Sequence, residues 1–186
     1  MSMEFSRRSF LKLSALTAVA VAGSSLMTGC SMTNPNRPVG KVDSELEVIG
    51  KHKLTAPKYE NSTLTCNMSI KCTSTNALTV EAKNFAMIVT DKDGTVTKYN
   101  NFGATQYFSI TAGDPTLDKG DTLPTTVTVQ NISLSNTDTI EFRYYPRLNS
   151  YVGNDQYNDI YATWVLQDPS KSIYAIEGLN APAAEE

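Results

Sequence analysis

A regular alternation of apolar and polar residues in the middle of the chain most constrains its fold. Apolar side chains stand at every second position from Leu64 to Cys72, and polar side chains stand between them. Successive side chains of a β-strand point to opposite faces, so this period predicts a strand with one face in the core. Ser, Thr and Asn are abundant and regular heptads are absent, which favours an all-β fold.

Further strands are predicted on both sides of this segment. The sequence Asp91-Lys92-Asp93-Gly94 is typical of a hairpin turn, because glycine accommodates the positive φ that such turns need. The other candidate strands lie at 78–82, 85–90, 95–99, 107–110, 125–132, 140–144 and 160–166, with an N-terminal edge strand at 45–54. Seven or eight short strands separated by turns predict a single immunoglobulin-like β-sandwich.

Two stretches resemble a known class of domain. The string Asn-Phe-Ala-Met-Ile-Val-Thr-Asp-Lys-Asp-Gly at 84–94 is similar to the second strand and hairpin of immunoglobulin-like (telokin-like) domains found in bacterial surface lipoproteins. The turn Leu-Asp-Lys-Gly-Asp at 117–121 is similar to their mid-domain turn, and the resemblance covers about residues 63–166. It implies a sandwich fold, and it brings no catalytic residues or cofactor to this chain.

The N-terminal residues have the pattern of an export signal. A basic stretch is followed by a short apolar run at 13–27, which is too short and too diluted to span a bilayer comfortably. Ser-Arg-Arg-Ser-Phe-Leu-Lys at 6–12 resembles the twin-arginine signal, with Arg7, Arg8, Phe10 and Leu11 at the defined positions. The resemblance implies that the twin-arginine machinery exports a domain that has already folded in the cytoplasm.

Cys30 is predicted to be a lipidation site. Leu-Met-Thr-Gly-Cys at 26–30 resembles a bacterial lipobox, in which the cysteine receives diacylglycerol and acyl chains such as palmitate. Two alternatives stay open, namely an ordinary secretory signal cut near Gly23 or Gly29, and a retained anchor helix. Lipidation would hold the domain on the cell membrane, facing outward.

The expected organisation has four parts. Residues 1–29 form the signal peptide, 30–43 a flexible tether, 44–170 the sandwich and 171–186 a C-terminal tail. The tether is polar and broken by proline, with a reach on the order of 20 Å. The net charge of the chain is −3 and it has no basic run, which argues against nucleic-acid binding.

Cys66 and Cys72 are predicted to be buried, reduced thiols. Six residues along one strand separate their Cα atoms by about 20 Å, while a disulfide needs roughly 4.4–6.8 Å. The single histidine, His52, stands between two lysines and is expected to be solvated, far from either thiol. The sequence therefore predicts no metal site and no cofactor. The Asp91–Gly94 stretch is interpreted as a hairpin turn rather than a calcium loop.

The loop at 146–159 is the best candidate for binding a partner. Tyr151 and Tyr157 stand there among Asn, Asp, Gln and Arg, a mixture that can stack on and hydrogen-bond a protein or glycan ligand. In the alternative interpretation these tyrosines only pin the loop to the sandwich. The favoured function is a membrane-anchored extracytoplasmic binding module without enzymatic activity. A structural or accessory subunit of an envelope complex is the first alternative, and a small hydrolase the distant second.

Overall fold

The computed structural model describes residues 34–113, 115–147 and 159–179, and this part of the chain is an all-β sandwich. Its strands are β1 (Val39–Lys41), β2 (Glu45–Glu47), β3 (Gly50–Glu60), β4 (Thr63–Cys72), β5 (Leu78–Thr79), β6 (Phe85–Thr90), β7 (Val96–Tyr99), β8 (Phe108–Ile110), β9 (Thr116–Leu117), β10 (Thr122–Val129), β11 (Thr139–Tyr144), β12 (Ala162–Asp168) and β13 (Ile173–Tyr174). Short 3-10 turns at Ala82–Asn84 and Pro169–Lys171 complete the regular structure of these residues.

Two main sheets face each other. One has the order β1-β12-β11-β6-β7, with β13 also on β12, and the other has the order β2-β3-β4-β10-β8. Strands β5 and β9 form a separate two-stranded ribbon. The order β3-β4-β10-β8 opposite β12-β11-β6 follows the A-B-E-D and G-F-C order of immunoglobulin sandwiches.

The alternation that predicted β4 is confirmed by its burial. Five apolar side chains of this strand point into the core and the residues between them are half-buried or exposed. The strand pairs antiparallel with β10, from Lys71 opposite Thr122 to Leu64 opposite Val129. The same period accounts for β11, where Ile140, the residue that begins its inward set, is fully buried.

Aromatic side chains join the two sheets in the core. The Phe85 ring of β6 lies 6.4 Å from the Phe108 ring of β8 in the opposite sheet, measured between centroids. Phe142 lies 5.9 Å from Phe85 and 6.1 Å from Phe108. The indole Nε1 of buried Trp164 donates to the carbonyl oxygen of Ser44 at 3.1 Å, so its polar atom is satisfied.

The predicted edge strand at 45–54 is partly wrong. Strand β2 is an edge, but β3 lies inside the sheet between β2 and β4. Strand β3 continues to Glu60 across an irregularity between Thr55 and Lys58, where Ala56 has a positive φ of 47°. Such a bulge lets a strand absorb extra residues and bend. The sequence pattern breaks there, which is why the strand was predicted to end early.

The predicted tether of 30–43 extends too far. Within it, β1 pairs in parallel with β12, Val39 lying opposite Thr163. The Thr163 amide donates to the Pro38 carbonyl oxygen at 2.9 Å, which satisfies both backbone groups. Strand β1, which begins five residues before position 44, therefore already belongs to the sheet that contains β12.

The predicted tail of 171–186 also begins too early. Strand β13 pairs with β12, and Ile176 and Leu179 are buried. The Tyr59 amide donates to Glu177, and Gly178, at φ 87°, passes so close that a Cβ would lie 2.2 Å from the Tyr59 carbonyl oxygen. Only glycine fits this approach. The segment up to Leu179 packs on the sandwich.

Candidate functional site

The candidate site is the end of the sandwich from which the loop at 146–159 departs. Strand β11 runs toward this end and β12 runs away from it, so residues 145–147 and 159–161 lie there together. Residues 34–38 lie beside them, because the Tyr161 amide donates to the Asn36 carbonyl oxygen at 2.8 Å. We call this the loop end. The opposite end carries the turn at 91–94, and we call it the hairpin end.

Four side chains form an arginine–tyrosine cluster at the loop end: Arg37, Arg143, Tyr145 and Tyr161. The guanidinium carbons of Arg37 and Arg143 lie 5.5 and 5.0 Å from the centroid of the Tyr161 ring. The Tyr145 ring lies 5.0 Å from the Tyr161 ring with a tilt of 42°. Cation–π contacts of this kind contribute about 0.5–2 kcal/mol each, and an aromatic pair contributes about 0.5–1.5 kcal/mol.

The cluster holds the point at which the chain returns from the loop. Arg37 forms an ion pair with Asp159, and its Nε donates to the Asp159 carbonyl oxygen at 3.1 Å. Because both charged partners are partly exposed, the ion pair itself adds little free energy, and the contact serves mainly to set the position of the backbone. Residues 36, 159 and 161 are thus fixed against one another.

A second set of hydrogen bonds fixes the chain where it enters the loop at 146–159. The Asn84 side-chain amide donates to the Tyr145 carbonyl oxygen at 2.7 Å, and the Tyr145 amide donates to the Asn84 carbonyl oxygen at 2.8 Å. The Asn84 Oδ1 accepts from the Glu81 amide at 2.7 Å, which fixes the amide orientation. Arg147 donates from Nη2 to the Ser74 hydroxyl at 3.3 Å, and this contact joins the departing chain to the turn after β4.

Three cations near the cluster face carboxylates. Arg143 pairs with Glu141 at 2.7 Å, Arg37 pairs with Asp159, and Lys83 pairs with Glu81 at 2.8 Å. Each pair is close to neutral from a distance. The loop end thus offers aromatic and hydrogen-bonding groups without a strong field of one sign.

The prediction that His52 is solvated is wrong. Its side chain is fully buried, and its ring meets the Tyr144 ring edge-on with centroids 4.9 Å apart. Its Nε2 donates to the Val48 carbonyl oxygen at 3.0 Å, while Nδ1 and the Tyr144 hydroxyl have no hydrogen-bond partner. Burial lowers the pKa of His52 to about 4, and burial raises the pKa of Tyr144.

The thiols lie where the alternation predicted them. Cys66 and Cys72 are free and buried, and they lie six residues apart along β4. Burial raises the pKa of the Cys66 thiol, which makes it a poor nucleophile. The Sγ of Cys72 approaches the carbonyl oxygens of Ser74 and Asn76 at 3.6 and 3.8 Å, as a weak donor.

The hairpin interpretation of Asp91 is confirmed. Its Oδ1 accepts from the amides of Asp93 at 2.9 Å and Thr95 at 2.8 Å, and Gly94 has a φ of 83°. The carboxylate therefore closes its own turn, and hydrogen bonds from the Thr95 amide hold its pKa below the ordinary value. Among residues 34–113, 115–147 and 159–179, no group of His, Cys, Asp and Glu is arranged to hold a metal ion.

Seven residues singled out in the sequence lie outside the described part of the chain: Arg7, Arg8, Phe10, Leu11, Cys30, Tyr151 and Tyr157. None of the four residues of the arginine–tyrosine cluster was singled out in the sequence. Arg37 and Tyr161 were missed because they lie more than a hundred residues apart and meet only through the pairing of β1 with β12. No helix of the described residues is long and apolar enough to cross a membrane.

Comparison with known proteins adds two distant likenesses. No family model matches the chain, and no curated protein matches it in sequence. Among solved structures, the yjhA protein of Bacillus subtilis aligns over 69% of this chain and 98% of its own, at 10% identity and a TM-score of 0.43. The ycdA protein of Bacillus subtilis, which is named as a lipoprotein, aligns over 72% of this chain and 41% of its own, at 17% identity and a TM-score of 0.41. With values this low, no conclusion about this chain rests on either likeness.

Proposed function

We propose that this chain is an exported lipoprotein that binds a partner through the loop end of its sandwich. The N-terminal signal supplies the export route, and Cys30 supplies the membrane anchor. Several acyl chains acting together give stable anchoring, whereas one chain alone binds a membrane only marginally. Cys66 and Cys72, being free and buried, fit a domain that folds in the reducing cytoplasm before export.

The observation that carries the binding proposal is the arginine–tyrosine cluster. Recognition usually falls on loops that a rigid scaffold positions, and this cluster fixes the chain on the returning side of the loop at 146–159. Tyr and Arg are also the residue types that dominate the energetics of protein interfaces. The immunoglobulin-like order of the strands fits such a role, since these sandwiches commonly present end loops to partners. Tyr151 and Tyr157 stay the proposed anchors within the loop.

Fractionation of cells that express the full chain tests the anchor. We expect the wild-type protein in the membrane fraction, with a mature N-terminus at Cys30 that carries the mass of the lipid. The double variant Arg7→Lys, Arg8→Lys should accumulate inside the cell as an unprocessed precursor. A mature N-terminus that lacks lipid would refute the anchoring, and unchanged export of the lysine variant would refute the twin-arginine route.

Substitution of Tyr161 tests the binding site. Chemical crosslinking in intact cells should recover a partner with the wild-type protein and lose it with Tyr161→Ala, because this change removes the centre of the cluster. Tyr174→Ala is the matched control, since Tyr174 is also half-buried and lies near the hairpin end. Equal recovery with both variants would place the interaction elsewhere on the molecule.

A further inference from the structure

We propose that the loop end faces the membrane, and that its partner is an extracytoplasmic segment of an integral membrane protein. This inference rests on the proposed function, because it takes Cys30 as the point of lipid attachment. It adds the direction in which the domain is held and the class of partner within reach. The proposal follows from the position of residues 34–38 and from the length of chain that separates them from Cys30.

The tether that remains is very short. The Asn36 carbonyl oxygen accepts from the Tyr161 amide at 2.8 Å, so the chain is already fixed to the loop end at this residue. Asn36 is the sixth residue after Cys30, so five residues lie between them. A chain of that length spans at most about 20 Å when fully extended, and about 13 Å as a flexible coil. Asn36, which adjoins the arginine–tyrosine cluster, is therefore held within about 20 Å of the lipid attachment point.

The hairpin end lies farther from the anchor. Strand β6 starts at Phe85, opposite Tyr144 at the loop end, and reaches the turn at Asp91 after six residues. At about 3.3 Å per residue this separates the two ends by about 20 Å along the strand. A short tether attached at one end of a rigid sandwich keeps that end near the bilayer and leaves the opposite end toward solvent.

The gap beneath the loop end excludes most soluble partners. A folded domain of about 100 residues is about 30 Å across, which exceeds the longest reach of the tether. A partner that lies between the loop end and the bilayer must then be in the membrane or project only slightly from it. The bilayer surface itself is disfavoured by the charge pattern, because anionic headgroups attract clusters of unpaired Lys and Arg. Here Arg37, Arg143 and Lys83 each face a carboxylate, and Arg147 donates to the Ser74 hydroxyl.

Energy transfer from two labelled positions tests the orientation. Asn36→Cys and Asp93→Cys are matched variants, since both residues are exposed and one lies at each end, while the native thiols are buried. The full-length lipidated protein is reconstituted into vesicles of phosphatidylethanolamine and phosphatidylglycerol that contain a headgroup acceptor dye. We expect transfer from position 36 to exceed transfer from position 93 several-fold. Equal or reversed transfer in vesicle-bound protein would overturn the orientation alone.

A longer tether provides the control for this measurement. Insertion of about 30 Gly and Ser residues after Ser31 raises the coil reach to about 30 Å, so the difference between the two positions should shrink strongly. A protein that carries no lipid and does not bind vesicles would overturn the anchoring and the orientation together, and mass spectrometry identifies that case. The failure of the two proposals is thus distinguishable.

Photocrosslinking tests the class of partner. A benzophenone amino acid is placed at position 36 or 93 of the full chain in native cells. We expect position 36, but not 93, to give an adduct with a polypeptide that stays in the membrane after an alkaline wash, and the longer tether should weaken it several-fold. Adducts with lipid alone would assign the loop end to the bilayer. A partner released by the wash, or no adduct from position 36, would also overturn the proposal.

Discussion

Acid should destabilise this fold through one side chain, the buried imidazole of His52. It is the only histidine in the sequence, so its titration is not masked by any other. Its Nε2 carries the proton, because that atom donates to the Val48 carbonyl oxygen. Protonation would therefore fall on Nδ1, which is buried and has no hydrogen-bond partner. A positive charge at that atom would lose its hydration without gaining a hydrogen bond in the core.

The size of the effect follows from the pKa of His52. Burial lowers it from the ordinary value of 6.5 to about 4, against smaller opposing effects of the Val48 hydrogen bond and the Glu45 charge. Between these two pH values the unfolded chain binds more protons than the folded chain, so the free energy of unfolding falls as the pH falls. At about 1.4 kcal/mol per pKa unit, His52 accounts for a loss of about 3 kcal/mol. The full contribution is present above pH 6.5.

Urea unfolding followed by the fluorescence of Trp164 measures this loss. That residue is the only tryptophan and is fully buried, so its emission reports the whole transition. The midpoint should fall steadily between about pH 7 and pH 4.5 with little change in slope, because the surface exposed on unfolding stays the same. The single histidine ring signal in a proton NMR titration gives the pKa of His52 directly.

Two variants separate His52 from other sources of acid sensitivity. His52→Gln retains a donor for Val48 but cannot titrate, so it should flatten the pH dependence in this window. Glu45→Gln removes a charge that raises the pKa of His52, which should then fall further. Asp91 titrates below the window, since its backbone hydrogen bonds lower its pKa. A His52 signal that titrates near pH 6.5 would refute the reasoning. So would a His52→Gln variant whose free energy of unfolding depends on pH as steeply as that of the wild-type protein.

Four further predictions concern the thiols, the anchor and the loop. Cys66→Ser should lower the free energy of unfolding by about 1–3 kcal/mol, because a poorly paired hydroxyl replaces a fully buried thiol, and urea melts measure it. Both native thiols should resist alkylation until the domain unfolds; rapid labelling of the folded protein would contradict their burial. Cys30→Ala should shift the protein from the membrane pellet to the soluble fraction or block maturation, as immunoblots of fractions will show. Replacing Tyr151 and Tyr157 with Ala should abolish partner binding at a nearly unchanged melting temperature, whereas a much lower one would mean that they only pack on the sandwich.

Much of the sandwich was predictable because each strand has one face in the core. A strand that buries one face must alternate apolar and polar residues, so β4 and β11 can be recognised from the sequence alone. Strand β6 was predicted at 85–90, and its first three residues are buried on both faces. The turn that follows it was predictable as well, because Asp91 and Gly94 have separate physical roles in closing it.

The parts that sequence reasoning missed depend on contacts between distant residues. Strand β1 has three residues, one of them Gly40, which is too short to show any period. Its place in the sheet comes from parallel pairing with β12, over 120 residues later. The arginine–tyrosine cluster depends on the same pairing, since it brings Arg37 to Tyr161. Neither residue has a local pattern that points to the other.

The burial of His52 was missed for a different reason. The alternation of its neighbours indicated an inward position, but the polarity of its side chain was given more weight. Leu46, Val48 and Leu54 are buried, and they share the parity of His52 along the chain. Lys51 and Lys53 occupy the alternate positions, point outward, and form exposed ion pairs with Glu45 and Asp43. The two lysines therefore lie on the outer face of β3 and do not indicate whether the residue between them is exposed. Where a period of two is established, it determines burial more strongly than the polarity of one side chain, and a polar residue in an inward position is then a buried group with a shifted pKa.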